Sequence, residues 1–180
     1  MKYEELYEKM KNCRACTLRN RIFLPGDGNL SARVMCVGIA PSKWRTHNET
    51  FGMKSKTYFE KFLEILGLRR SDTWNSNVVK CIDYGRGTGD PAKCVYYLLQ
   101  EIEIIDPRYV ILFGRDTAKW VLGSELIKDG GMVIKDGRKY FTSPHPMIAV
   151  YHGAEGEARL YSVAKKIRDY MRVATLEDYL

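Results

Sequence analysis

The sequence predicts an α/β fold with a mainly parallel sheet and helices on both of its faces. Apolar runs of strand length alternate with segments of helical period along the chain. The runs at residues 33–39 and 108–114 are apolar nearly throughout, the pattern of strands covered on both sides. Each is followed by a helix-forming segment, so a parallel return is the natural connection.

The elements follow in order. Residues 3–11 read as a short helix. Residues 33–39 are the first strand, ended by Gly38, Ala40 and Pro41 in a tight loop. Residues 55–67 place Tyr58, Phe59, Phe62, Leu63, Ile65 and Leu66 at helical spacing, and Gly67 supplies the stop. Residues 74–80 form a second strand. Asp90-Pro91 opens a helix, with proline at its first turn, running through Tyr97, Leu98 and Ile102. Residues 108–114 are the third strand and 116–122 a short helix. Residues 133–141 read as a hairpin around Asp136-Gly137, its second arm running into Ser143-Pro144-His145-Pro146. An amphipathic helix over 155–173 completes the set. No internal repeat, low-complexity stretch or linker interrupts it.

A chain of 180 residues is long enough for one substantial core, so residues 1–180 are expected to form a single domain. No apolar stretch approaches the roughly 20 residues of a membrane span. The first residues are charged and lack the apolar centre of a signal peptide. A cytoplasmic setting is therefore expected, where cysteine clusters more often bind metal than form disulfides. The formal net charge of +7 favours a polyanionic partner.

Cysteine placement is the sharpest chemical signal. Cys13 and Cys16 form a C-x2-C pair, and Cys81 and Cys94 a wider pair far downstream. Four thiolates from two distant segments suit zinc or an iron–sulfur cluster, and such a clip would tie the N-terminal arm to the middle of the fold. Cys36, inside the first apolar run, reads as a small buried residue.

Ligands of open α/β sheets bind where loops leave the carboxyl ends of the strands. Three such segments carry suggestive residues: 38–42 with the polar loop to Phe51, 75–81, and 143–147. Together they offer an aromatic ring, an amide and an imidazole. An amide presents a donor and an acceptor side by side, which suits the edge of a flat heterocycle.

These motifs, in this order, resemble the iron–sulfur uracil-DNA glycosylases, often called family 4 of the uracil-DNA glycosylase superfamily. The matching segments are Cys13-Arg14-Ala15-Cys16, Gly38-Ile39-Ala40-Pro41-Ser42, Asn77-Val78-Val79-Lys80-Cys81, Cys94 and His145-Pro146. The resemblance implies a three-layer α/β/α sandwich around a four-stranded, mainly parallel sheet. It implies a [4Fe-4S] cluster on Cys13, Cys16, Cys81 and Cys94. It implies a monomer that flips uracil out of single- or double-stranded DNA and hydrolyses its N-glycosidic bond, starting base excision repair. Gly38, Ile39, Ala40 and Pro41 would border the base, Phe51 would stack on it, Asn77 would read its edge, and His145 would stabilise charge growing on O2. Lys43, Arg45, Lys54, Lys80 and Arg86 would meet phosphates, and Met147 would open the segment that enters the DNA.

This chain also departs from that pattern. The family's acid after the first glycine is Ile39, which cannot polarise a water. The related family 5 also has an apolar residue there, but its aspartate just after the stacking aromatic is absent from Gly52-Met53-Lys54. Glu49 is the nearest candidate acid, with His47 behind it. The loop between Cys81 and Cys94 is short and lacks the usual Arg-Pro-Pro. Two functions therefore stand beside each other. One is an active glycosylase acting on uracil and other deaminated bases. The other is a DNA-binding sensor that keeps the pocket without hydrolysis.

Overall fold

Val34–Gly38 (β3), Thr73–Asn77 (β4) and Tyr109–Phe113 (β7) are buried along their whole length and pair in parallel, β3 in the middle. In this computed structural model, residues 1–45, 48–123 and 128–177 are described, with side chains to residue 173. Preceding β3 are helix Tyr3–Asn12 (α1) and the short strands Arg21–Phe23 (β1) and Asp27–Gly28 (β2). Lys56–Leu66 (α2) leads to β4, and Cys81–Asp83 (β5) and Gly87–Thr88 (β6) follow it. Then come Pro91–Ile105 (α3), β7, Arg115–Leu122 (α4), Met132–Lys135 (β8), Arg138–Ser143 (β9) and Met147–Glu177 (α5).

Among the described residues the main sheet has six strands in the order β2-β4-β3-β7-β9-β8. Its parallel centre has the four strands expected, β4, β3, β7 and β9, and an antiparallel strand lies on each edge. The fourth parallel strand is the second arm of the hairpin read from the sequence. Lys135 pairs with Arg138 across Asp136 and Gly137, both at positive φ, as a two-residue turn of the right twist requires.

Alternation along each strand divides the core. Val34, Cys36, Ile111, Phe113 and Phe141 face α2 and α5, against Phe59, Phe62, Leu160 and Ala164. Met35, Val37, Val110, Leu112 and Tyr140 face α3 and α4, against Leu98, Ile102, Ala118 and Val121. The three layers follow, and Cys36 is fully buried, as expected. Asp90 caps α3 by accepting from Ala92 N at 2.9 Å, with Pro91 behind it. Gly67 ends α2 in the left-handed conformation. The last helix begins at Met147, earlier than its periodicity suggests, because it is two helices joined across Gly153 (φ 54, ψ −136).

A second, small sheet, β1-β5-β6, has no counterpart in the sequence reading. Its strands are two or three residues long, too short to leave a period. It lays the segment after Cys16 against the strand that begins at Cys81.

Lys80 is corrected by the structure. It was expected at the DNA surface, but it is 2% exposed and ion-paired with fully buried Glu101 of α3. Its Nζ also donates to Ser76 Oγ at 2.6 Å, and Ser76 Oγ donates to Glu101 Oε2 at 2.8 Å. Lys80→Ala would leave Glu101 charged in the core without a counter-ion. The expected loss is about 3–5 kcal/mol, read as a shift of the urea midpoint. Replacing both residues by methionine and leucine should recover most of it, and a single variant as stable as the parent would refute the account.

Candidate active site

The strand ends β3, β4 and β9 open into one cavity of about 790 Å³. Its floor and near wall are Ile39, Ala40, Pro41, Phe51, Asn77, Pro144 and His145. Gly38 is the pivot beneath it. A Cβ there would lie 2.7 Å from Asn77 Oδ1 and 3.2 Å from Phe51 Cε1, so any side chain would push both away. Only the bare backbone lets amide and ring close over the end of β3.

Phe51 is 6% exposed and stacks on Phe59, ring centroids 4.4 Å apart at 22°. It meets Phe113 edge-on at 5.0 Å and lies 5.7 Å from the His145 ring. Phe51 and Met53 both sit at positive φ (56° and 55°), which for non-glycine residues costs about 1–3 kcal/mol each. Packing of Phe51 among three aromatic rings offsets that cost and aims the loop into the cavity. Asn77 makes no side-chain hydrogen bond to protein among the described residues, so its amide is open to a ligand edge.

His145 Nδ1 accepts from Met147 N at 3.1 Å. That bond makes Nδ1 the unprotonated nitrogen of the neutral ring and leaves the proton on Nε2, a donor. Burial pulls His145 down from 6.5 to about 4, so the ring is neutral at neutral pH. A neutral imidazole donor beside an aromatic face and an open amide can bind a planar base and stabilise an oxyanion on it.

The remaining expected residues divide. Lys43, Lys54 and Arg86 are exposed, and Lys54 lines the cavity, as does half-buried Met147. Arg45 lines it too, but it is 3% exposed and cannot be the surface cation expected of it. Glu49 needs correction as well. It is not among the residues lining the cavity and pairs with Lys56, at 2.7 Å, and Arg70, at 3.7 Å. His47 lies outside the described residues. Sequence reasoning missed Gly114 and Arg115, which the strand-end rule applied to β7 would have found. It also missed Asp129 and Arg159, which pair across 30 residues with no local signal. Asp129 is the one carboxylate lining the cavity among the described residues, and Arg159 holds it.

A thiol site lies on the far side of β5. Cys13, Cys16, Cys81 and Cys94 are all free. Cys16 Sγ accepts from Asp90 N at 3.4 Å, and Lys93 Nζ donates to Ala15 O at 2.9 Å, so the start of α3 holds the second half of the C-x2-C turn. Burial pushes the Cys81 and Cys94 thiols up, and each also feels the charge of Cys13. Burial acts in the same sense on Cys13, but the Tyr97 hydroxyl, the Ala15 backbone, Arg21 and Arg14 outweigh it and hold Cys13 below the ordinary thiol value. The small sheet and the start of α3 bring the two pairs of cysteines to one region of the fold, although among the described residues no group of three or more His, Cys, Asp or Glu is gathered closely enough to hold a metal ion.

The profile of the family described as the uracil DNA glycosylase superfamily matches residues 25–167. The chain belongs to that superfamily. Among curated relatives it is 34% identical to a type-4 uracil-DNA glycosylase of Pyrobaculum aerophilum, over 66% of this chain and 64% of the relative. It is 34% identical to the Thermotoga maritima protein of the same name, over 62% of this chain and 61% of the relative. A third relative so named, from Archaeoglobus fulgidus, is 27% identical over 84% of this chain and 81% of its own length. The chain thus spans less than two thirds of the first two. Membership explains the fold, and Ile39 marks this chain as a divergent member. No helix among the described residues is long and apolar enough to cross a membrane.

The His145 environment has a thermodynamic signature. In the unfolded chain this ring takes a proton near 6.5, and in the folded chain only near 4. Between those values the unfolded state holds more protons, so stability falls as pH drops through the window. His145→Asn, which cannot titrate, should lose less stability over the same interval. Urea midpoints measured across it should diverge, and parallel curves would contradict the assignment.

Proposed function

We propose that this chain is a DNA glycosylase that takes a flipped uracil into the cavity and hydrolyses its N-glycosidic bond. The observation that carries the reading is the convergence of Phe51, Asn77 and the Nε2–H of His145 on one cavity at the strand ends. Phe51 stacks on the base, Asn77 holds its edge, and His145 donates to O2 as the bond breaks. Unstacking a base costs a few kcal/mol, and these contacts offset it. Lys43, Lys54 and Arg86 supply exposed cations for the phosphate backbone.

The route proposed is dissociative. With Ile39 at the usual acid position and Glu49 paired to Lys56 and Arg70, no carboxylate on the 39–54 loop is free to activate water. Catalysis then rests on stabilising the departing uracil anion, and water attacks an oxocarbenium-like sugar. The experiment is incubation with uracil-, hypoxanthine- and xanthine-containing oligonucleotides, then alkaline cleavage of abasic sites. Base release should fall as salt rises. His145→Ala and Asn77→Ala should each lose about 10²–10³ in rate while still binding DNA, and Glu49→Ala should lose little. A Glu49→Ala enzyme that is dead beside an active His145→Ala would refute the leaving-group account. Release of no base from any deaminated substrate would leave a DNA-binding sensor in place of an enzyme.

We also propose that Cys13, Cys16, Cys81 and Cys94 hold a [4Fe-4S] cluster, with the whole chain 1–180 folding as one domain around it. Four free thiols from two segments, held by α3 and the small sheet, fit its ligand chemistry. The cluster's contribution is structural, because none of the four cysteines lines the cavity. The purified protein should be brown with about four irons per chain, and Cys36→Ala should keep the colour. A colourless protein with stoichiometric zinc would replace the cluster by a single ion.

A further inference from the structure

Trp44 and Tyr84 are exposed aromatic rings on two different loops, 52% and 44% accessible. Their centroids are 5.7 Å apart with the planes at 90°. The arrangement is built by the backbone. Gly85 N donates to Lys43 O at 2.8 Å, joining the loops. Gly85 has φ +72, and a Cβ there would lie 3.0 Å from the Trp44 ring, so the indole rests on bare backbone. The turn is secured from behind, because Asp83 accepts from Arg19 N at 3.2 Å and from Asn20 N at 3.4 Å. A solvated tryptophan with no function needs no such seat.

Charge identifies the occupant. Lys43 Nζ lies 5.3 Å over the Trp44 ring, and exposed Arg86 shares the Tyr84 turn. The carboxylates of the two loops are engaged elsewhere: Asp83 is buried and accepts from Arg19 N and Asn20 N, and Glu49 pairs with Lys56 and Arg70. Trp44 also lines the cavity, so the platform is continuous with the site proposed for the flipped base. Aromatic faces interleaved with cations, without anions, suit a nucleotide strand: rings take bases and cations take phosphates.

We propose that Trp44 and Tyr84 form a second, sequence-independent subsite that stacks an unpaired base next to the flipped nucleotide. This rests on the reading of DNA as substrate, and it makes single-stranded DNA the preferred form. In a duplex the neighbouring base is already stacked and must be pulled free to reach the indole.

The first test needs no base release. Fluorescence anisotropy compares single-stranded and duplex oligonucleotides without uracil, against the parent protein and Trp44→Ala, Tyr84→Ala and Trp44→Phe. Trp44→Ala should weaken single-strand binding roughly ten- to hundredfold, with a smaller effect on duplex, and Trp44→Phe should restore most of it. Equal binding by Trp44→Ala, or equal weakening on both DNA forms, would overturn the proposal; an undiminished single-strand affinity would return the patch to a protein partner.

The second test fixes the register with a hydrolysis-resistant 2′-fluoro-deoxyuridine and removes one flanking base at a time. Omission at one position should cost the parent protein about as much as Trp44→Ala does, and cost Trp44→Ala nothing further. Additive losses at every position would overturn the subsite. If no deaminated base is ever released but the first test holds, the platform stands and the glycosylase reading falls.

Discussion

The buried pair of Lys80 and Glu101 is the constraint on which the two working parts of this molecule depend. Lys80 lies three residues after Asn77 and one before Cys81, and Glu101 is on the helix that carries Cys94. A single ion pair therefore locates the cavity amide of Asn77 and the thiols of Cys81 and Cys94. Such a pair contributes little net stability, since desolvation consumes most of the attraction. Its contribution is position. Ser76, bonded to both partners, adds the strand register to what is held.

Around that anchor the cavity combines the neutral groups Ile39, Phe51, Asn77 and His145 with the cations Arg45, Lys54, Arg115 and Arg159. His145 is kept neutral by burial, Asn77 is neutral, and Ile39 stands where an acid is usual. Burial strengthens hydrogen bonds made to an anion beside the neutral groups, and the cations of the lining favour the same charge. The carboxylates nearby are already committed: Glu49 to Lys56 and Arg70, Asp129 to Arg159. What the cavity leaves uncommitted is therefore an amide and an imidazole donor rather than a carboxylate.

The core was legible in the sequence because it is periodic. Strands β3 and β7 are continuous apolar runs, and α2 carries Phe59, Phe62, Leu63 and Leu66 on one face. Cavity residues next to strand ends, such as Asn77 and His145, were legible through the same rule. Charged residues were the weak point. The segment 77–81 reads as a surface-bound motif, yet Lys80 turns inward because Glu101, 21 residues on, meets it there. Arg45 is another inward cation whose burial no local pattern announces. Edge strands of two or three residues were invisible for lack of period, and with them the second sheet that carries the Tyr84 turn.

The break at Gly153 joins the helical wall of the cavity to the long helix of the core. Met147, Ile148, Val150, Tyr151 and His152 all precede it, and all line the cavity. The long helical segment beyond packs against α2 and β9 through Leu160, Val163, Ala164 and Ile167. The two segments close on each other beyond the bend: a Cβ at Gly156 would lie 2.2 Å from Ile148 O, Ala149 is buried, and Ile148 packs against the core. Both walls of the cavity are therefore seated on close-packed backbone, and any side chain added at position 156 would be felt at the cavity through Ile148.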